Sequence, residues 1–435
     1  MRRPDGSTAQ GADGCGQGSF GQGSFGLSRR GLLKAAGTAS LALAVGPGLD
    51  LAGPASAAAV GGGTIVVVSL RGGADGLTMV PPLGDPHYAA ARPSTAVPAS
   101  RATRLDTVFG LHPQLAPLLP HWTARRLAVV HATGGPLPSR SHFDAVLAMQ
   151  QAVFGAGART GWLDRLLGVL GASQVFGGVT IGNATPSILA GPRPTLTMSS
   201  ASSLRLDVWD AVETSYLTAL RGLHHYSDPV SLMAGSNLSA ISGVAAAGAR
   251  TTSPANGAVY PPGELGGKLR DLARLLRGGL PVRAAHVEVG GYDVHTRLGA
   301  AGGVDSGVMH DLLGELGRAV AAFAADIGPS LLARTTVVTT SEFGRRVGEN
   351  GSAGVDHGRG GPMLVLGGGV VGGKVYGTWP GLAPEALDRG DVRVTTDYRN
   401  VFAEVLTDRF GLGSAGLSAV FPGLTHRPLG LTRST

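Results

Sequence analysis

Thr64-Ile65-Val66-Val67-Val68-Ser69-Leu70 runs straight into Arg71-Gly72-Gly73-Ala74-Asp75-Gly76. Seven residues, almost all apolar and mostly β-branched, end in glycines. Such a run is too short for a buried helix and lacks the in-out alternation of a half-solvated strand, so it predicts a strand covered on both faces. Leu127 to His131, Ala284 to Val289, Thr335 to Thr340 and Met363 to Leu366 repeat the pattern. Helical periodicity falls between them, over Ser141 to Val153, Glu264 to Leu276, Gly307 to Ile327 and Thr396 to Phe410. Strands alternating with helices predict an α/β fold, a three-layer sandwich around a mostly parallel central sheet. Residues 60–435 are read as one domain. Residues 183–262, rich in Gly, Ser, Pro and Ala, are read as an irregular cap-like insertion, with Gly243 to Gly257 as a loop.

Upstream, Leu27-Ser28-Arg29-Arg30-Gly31-Leu32-Leu33-Lys34 precedes a mild apolar run and the small residues Pro54-Ala55-Ser56-Ala57-Ala58-Ala59. This is the layout of an export signal, and the arginine pair selects the twin-arginine translocase. Residues 1–59 are therefore read as leader and signal, with cleavage after Ala57 or Ala59. The expected destination is the cell envelope or the extracellular space. The apolar run is interrupted by Gly37, Thr38 and Ser40, too short for a membrane span of about 20 apolar residues. Cys15, the only cysteine, lies in the leader, so disulfide and thiolate chemistry are excluded downstream of it. The net charge is +7, but no dense basic run follows the leader. That argues against a nucleic-acid partner.

In a parallel sheet the ligand site lies beyond the carboxyl ends of the strands. Asp75 follows the first strand. Pro138-Ser139-Arg140-Ser141-His142-Phe143-Asp144 follows the second and opens a helix, where Ser141 suits an N-cap with Asp144 in a capping box. A hydroxyl or imidazole there also suits an anionic substrate. The third strand ends in Gly290-Gly291-Tyr292-Asp293-Val294-His295, where residues two apart point the same way and bring a carboxylate beside an imidazole. Ser341-Glu342-Phe343-Gly344-Arg345 follows the fourth, and Asp356-His357-Gly358 leads into the next. Acid and imidazole groups at successive strand ends form a ligand set for Zn²⁺ or Mn²⁺, with Mg²⁺ or Ca²⁺ as alternatives. The candidate ligands are Asp75, Asp293, His295, Glu342, Asp356 and His357. Arg71-Gly72-Gly73-Ala74-Asp75-Gly76 is not the dinucleotide G-x-G-x-x-G pattern, which argues against a nucleotide-dependent oxidoreductase.

Taken in order, these motifs, with Asp397-Tyr398-Arg399 near the end, resemble the secreted proteins grouped as domain of unknown function 1501. That family looks like a distant branch of the alkaline phosphatase and sulfatase superfamily. The resemblance implies a metal-dependent hydrolase of phosphate or sulfate esters, acting on a small anionic ester or an envelope component. It implies Asp293, His295 and His357 on one ion and Asp75 and Glu342 on a second. It also implies a nucleophile at Ser139 or Ser141 with Arg140 and His142 beside it, and anion contacts from Arg71, Arg140 or Arg345. Two departures stand out: Asp293-x-His295 is shorter than the usual Asp-x-x-x-His, and Glu342 replaces an Asp-His pair. They keep open the alternative of a non-catalytic exported binding or assembly protein on the same fold.

Overall fold

The computed structural model describes residues 62–154 and 159–434. The expected signal and its cleavage site lie outside the described residues. Nine strands form the main sheet: β1 (Thr64–Leu70), β2 (Leu127–Gly134), β3 (Gly178–Ile181), β4 (Thr195–Met198), β5 (Ala284–Val289), β6 (Thr335–Thr340), β7 (Gly361–Gly367), β8 (Val375–Tyr376) and β9 (Thr396–Asp397). The spatial order is β8-β2-β7-β6-β1-β5-β3-β4, with β9 also paired to β2. Every pairing is parallel except those of β7, which runs antiparallel to both β2 and β6.

Strand β1 sits in the middle, with all seven residues buried. Its alternate side chains enter two different cores. Val66, Val68 and Leu70 join one cluster, which includes Leu269 and Leu272 of the helix Glu264–Arg277 and Leu313 and Phe323 of the helix Val308–Leu332. Ile65 and Val67 join the other, with Trp162 and Leu166 of Trp162–Val169 and Phe402 and Leu406 of Tyr398–Phe410. Period-two alternation thus welds a helical layer onto each face, and the continuous apolar run is its sequence signature.

The expected cap-like stretch is more regular than its composition suggests. It supplies strand β4 at the sheet edge and the helices Asp210–Leu223 and Pro229–Ala246. Leu217, Leu238, Ile241 and Val244 of those helices are buried in the first cluster. Gly243 is the last glycine inside the second helix, so the loop expected from there begins only after Ala246.

The reversal of β7 positions the site. Parallel strands β1, β5 and β6 end at one edge of the sheet, with Ser69 in register with both Glu288 and Thr340. Because β7 runs the other way, the residues that precede it arrive at that same edge. Asp356 and His357 are thereby delivered next to the loops that follow β1, β5 and β6.

Candidate metal centre

Three segments converge at this edge. The first is the start of the helix His142–Gln151, where Ser141 is the N-cap. The second is the loop after β5, in which Val294 is buried while Asp293 and His295 face outward on either side of it. The third is the approach to β7, where Arg345 and His357 form an antiparallel bridge. Gly72 lets the loop after β1 close on the second segment. It has φ +117°, and a Cβ there would stand 2.3 Å from the Asp293 nitrogen. No other residue type fits that approach.

His357 is the hub. Its Nε2 lies 3.1 Å from His142 Nε2, 2.9 Å from His295 Nε2 and 3.1 Å from Asp293 Oδ1. His295 Nε2 is 3.0 Å from Asp293 Oδ1, and His142 Nε2 is 3.4 Å from Asp293 Oδ2. Ligand atoms arranged tetrahedrally about 2 Å from an ion are about 3.3 Å from one another. The ligand atoms of His142, Asp293 and His357 lie mutually within 4.8 Å.

The other face of each ring decides what this cluster is. His142 Nδ1 is 2.9 Å from Glu342 Oε1, His295 Nδ1 is 3.1 Å from Asp356 Oδ1, and His357 Nδ1 is 2.8 Å from the Arg140 carbonyl oxygen. Each partner is an acceptor, so each Nδ1 carries the hydrogen and donates it. Each Nε2 then presents a lone pair to the other Nε2 atoms. Three lone pairs and a carboxylate gathered within about 3 Å repel one another unless a cation lies among them. Outer partners that fix the tautomer and aim the free nitrogen are the usual support of a metal-ligating histidine. The donor set therefore fits a divalent ion held by His142, Asp293 and His357, with His295 alongside. Phe343 packs on both His142 and His357, with ring centroids 4.8 and 4.9 Å away, and holds the two imidazoles in place.

Asp293 has its carboxyl held down to about 2. Burial would raise it, but the hydrogen bond and charge of the Arg345 guanidinium outweigh that. Arg345 is itself fully buried. Its guanidinium donates to the carbonyls of Gly73, Gly72, Tyr292 and Val355 as well as to Asp293 Oδ1 at 2.6 Å.

Several expected roles change as a result. Arg345 is no substrate clamp, because its donors are spent on the protein. Glu342 is no ligand of a second ion: its side chain is buried and its Oε1 accepts from the Gly72 N–H at 2.8 Å while holding His142. Asp356 also stands behind a histidine, braced by Asn350 Nδ2 at 3.0 Å. Asp75 is drawn away altogether, since both its oxygens accept from Arg92 and one also accepts from Thr78. Burial would raise its pKa, yet Arg92 and Thr78 hold it below the ordinary carboxylate value. The expected groups thus gather as one cluster and not as two, and His142 joins Asp293, His295 and His357 in it. Arg71 pairs with Glu288 at 2.9 Å, and Arg140 with the buried Asp391 at 2.6 Å, its own side chain 43% exposed. Ser141 is exposed, and its Oγ accepts from the Asp144 N–H at 3.5 Å, as a helix cap.

The Asp75–Arg92 pair carries a stability prediction. Arg92→Met leaves a buried carboxylate without its hydrogen-bonded counter-charge, a change that costs about 3–5 kcal/mol. Urea unfolding should show that loss, with Arg92→Met and Asp75→Asn together recovering part of it.

Residues 250–416 match the family model described as "Protein of unknown function (DUF1501)". The chain carries a DUF1501 region. This is the family that the sequence resembles, and the matched region contains Asp293, His295, Glu342, Asp356 and His357 of the site. His142 and Arg140 lie before it. No curated protein matches the chain. Among solved structures, the PsFucS1 sulfatase from Pseudoalteromonas sp. is similar at 12% identity and a TM-score of 0.35, covering 86% of this chain and 74% of that one. The lipoteichoic acid synthase LtaP from Listeria monocytogenes is similar at 8% identity and a TM-score of 0.34, covering 80% and 78%. The C-terminal periplasmic domain of EcEptC from Escherichia coli, a complex with Zn, is similar at 12% identity and a TM-score of 0.31, covering 72% and 74%. The α/β sandwich with a mostly parallel sheet is evident from this chain's own strands. Among the described residues, no helix is long and apolar enough to cross a membrane.

Proposed function

We propose that this protein is an exported, metal-dependent hydrolase of phosphate or sulfate esters. The observation that carries the metal is the set of three histidines whose Nδ1 atoms are each held by an acceptor, so that their Nε2 atoms meet at Asp293. Zn²⁺ or Mn²⁺ suits three imidazoles and one carboxylate better than Mg²⁺ or Ca²⁺, which favour all-oxygen sets. A divalent ion there would act as a Lewis acid on a substrate oxygen.

The protein's own groups supply the rest. Arg140 supports an anionic substrate: its carbonyl steadies His357, and its half-exposed guanidinium is anchored by Asp391. Among the described contacts, that guanidinium spends a single N–H on the protein. Its remaining N–H groups suit the oxygens of a phosphoryl or sulfuryl group, for which the planar fork is the best-matched side chain. Arg345 keeps the Asp293 carboxyl ionised and ready as a ligand. Glu342 and Asp356 hold protons at His142 Nδ1 and His295 Nδ1, which keeps the Nε2 atoms available.

The cap role of Ser141 favours a second reading, a binding protein that holds the ion without turnover. One experiment separates the two. The purified chain should contain about one divalent ion, lose thermal stability on chelation because the ion binds only the folded state, and hydrolyse an aryl phosphate or aryl sulfate. Ser141→Ala should cost about 1 kcal/mol or less and leave turnover intact if the hydroxyl only caps its helix. Loss of turnover with the metal retained would make it the nucleophile. Metal without turnover would support the binding reading, and a protein that takes up no ion would remove both.

A further inference from the structure

Arg345 and Arg346 are neighbours with opposite destinations. On the extended segment that bridges to His357, consecutive side chains point to opposite sides. Arg345 goes inward to Asp293, and Arg346 goes the other way, into an open cleft of about 450 Å³. That volume lies within the roughly 300–1,000 Å³ typical of small-molecule sites. The cleft begins beside the metal cluster, since Asp356, which holds His295, lines it. The Arg346 N–H donates to the Asp356 carbonyl at 2.9 Å, which fixes the two residues side by side.

The floor is aliphatic, made by Ala90, Ala91, Val347 and Leu387. Most of the polar lining is already occupied. Both oxygens of Glu349 accept from Ser94 and Thr95, and the Asn350 amide holds His295, Asp356 and its own turn. Arg346 differs. Its Nη2 donates to the Arg389 carbonyl at 2.8 Å, while its Nε and Nη1 have no acceptor among the described residues. The Nη2 end of the guanidinium packs against Gly390, where a Cβ would stand 2.2 Å from Nη2. Asp356 Oδ2, at the end nearer the cluster, likewise has no donor among the described residues.

We infer that this cleft receives the alcohol portion of the ester, and that this alcohol carries hydroxyl groups and a second anionic group. A hydroxyl would donate to Asp356 Oδ2, the carbon skeleton would lie on the aliphatic floor, and the far anion would meet Arg346. The substrate class is thereby narrowed to esters of polar, anionic alcohols. The place of the cleft in catalysis rests on the hydrolase reading, but its occupancy is measurable without turnover.

sn-Glycerol 3-phosphate, an alcohol of this kind, is the probe, with glycerol as control. Titrated by calorimetry into the full chain in chelator, glycerol 3-phosphate should bind and glycerol should not. Arg346→Gln should weaken binding at least tenfold, and Arg346→Lys, which keeps the charge but not the fork, should fall between. Soaked crystals should show the phosphate at Arg346. Absence of binding, equal binding by glycerol, unchanged affinity in both variants, or phosphate density at the histidine cluster would each overturn the inference. Binding at Arg346 in a protein that hydrolyses no ester would overturn the hydrolase reading alone.

Discussion

Replacing His357 by alanine is expected to lower divalent-ion affinity by more than about a hundredfold, beyond the roughly 10–100-fold cost of losing an outer partner. Its Nε2 contacts both other imidazoles and the Asp293 carboxylate, so its removal opens the centre of the cluster. Glu342→Gln is the graded comparison. It keeps an acceptor oxygen for His142 Nδ1 but removes the charge, and should cost about tenfold. Competition with a chromophoric chelator measures both. The purified His357→Ala chain should also melt at the temperature that chelation gives the unaltered protein, and chelator should no longer change it. Equal metal affinity in the unaltered and His357→Ala proteins would remove the metal centre.

Acid is expected to unfold the metal-free protein well above the pH at which carboxylates titrate. Burial lowers His112 and His131 to about 4 and His286 to about 3, each against an ordinary value near 6.5. Protonation is thus favoured in the unfolded chain. The stability from keeping these rings neutral is complete above about pH 6.5 and is lost as pH falls toward 4 and then 3. At 1.36 kcal/mol per pH unit, the three shifts amount to roughly 3–5 kcal/mol each when fully expressed. A total unfolding free energy of about 5–15 kcal/mol loses most or all of its margin to that sum, so the acid midpoint should be raised toward the range between about pH 4 and 6.5. Asp75 adds its own loss only lower down, below its ordinary carboxylate range. Circular dichroism against pH in chelator measures the midpoint. His131→Phe, which keeps a ring stacked on Phe109 and edge-on to Trp379, should move it downward. A melting temperature that stays flat from pH 7 to 4.5 would show that these rings are not buried neutral.

The longer strands were legible because the central strands of a parallel sheet need apolar residues on both faces, as Thr64–Leu70 and Thr335–Thr340 show. Gly178–Ile181 and Thr195–Met198 were missed, since four residues near a sheet edge leave too short a pattern. The helices Asp210–Leu223 and Pro229–Ala246 were hidden by small and polar residues, which pack adequately where only one stripe is buried. At the site, Asp293, His295 and His357 were legible as a group of acid and imidazole residues, and the fold brings them together. The division of labour among the carboxylates was not legible. Asp75, Glu342 and Asp356 look alike in sequence, and only the fold shows that Arg92 reaches Asp75 while Glu342 and Asp356 stand behind histidines. Arg345 was misread for a related reason, because backbone carbonyls that consume a guanidinium leave no mark on composition.

His142 and His357 touch although 215 residues separate them along the chain. The segments that carry the cluster come from three distant parts of the sheet, so no fragment can assemble it and the unfolded chain has nothing equivalent. Metal capture at the proposed centre would therefore be a late event that reports completed folding, with affinity rising only when the last segment docks. An ion present at 100 times its dissociation constant would then add about 2.7 kcal/mol to the finished molecule and nothing to its precursors. The same polypeptide should be robust in a metal-replete compartment and fragile in a depleted one. Ion supply would set its lifetime as well as its chemistry.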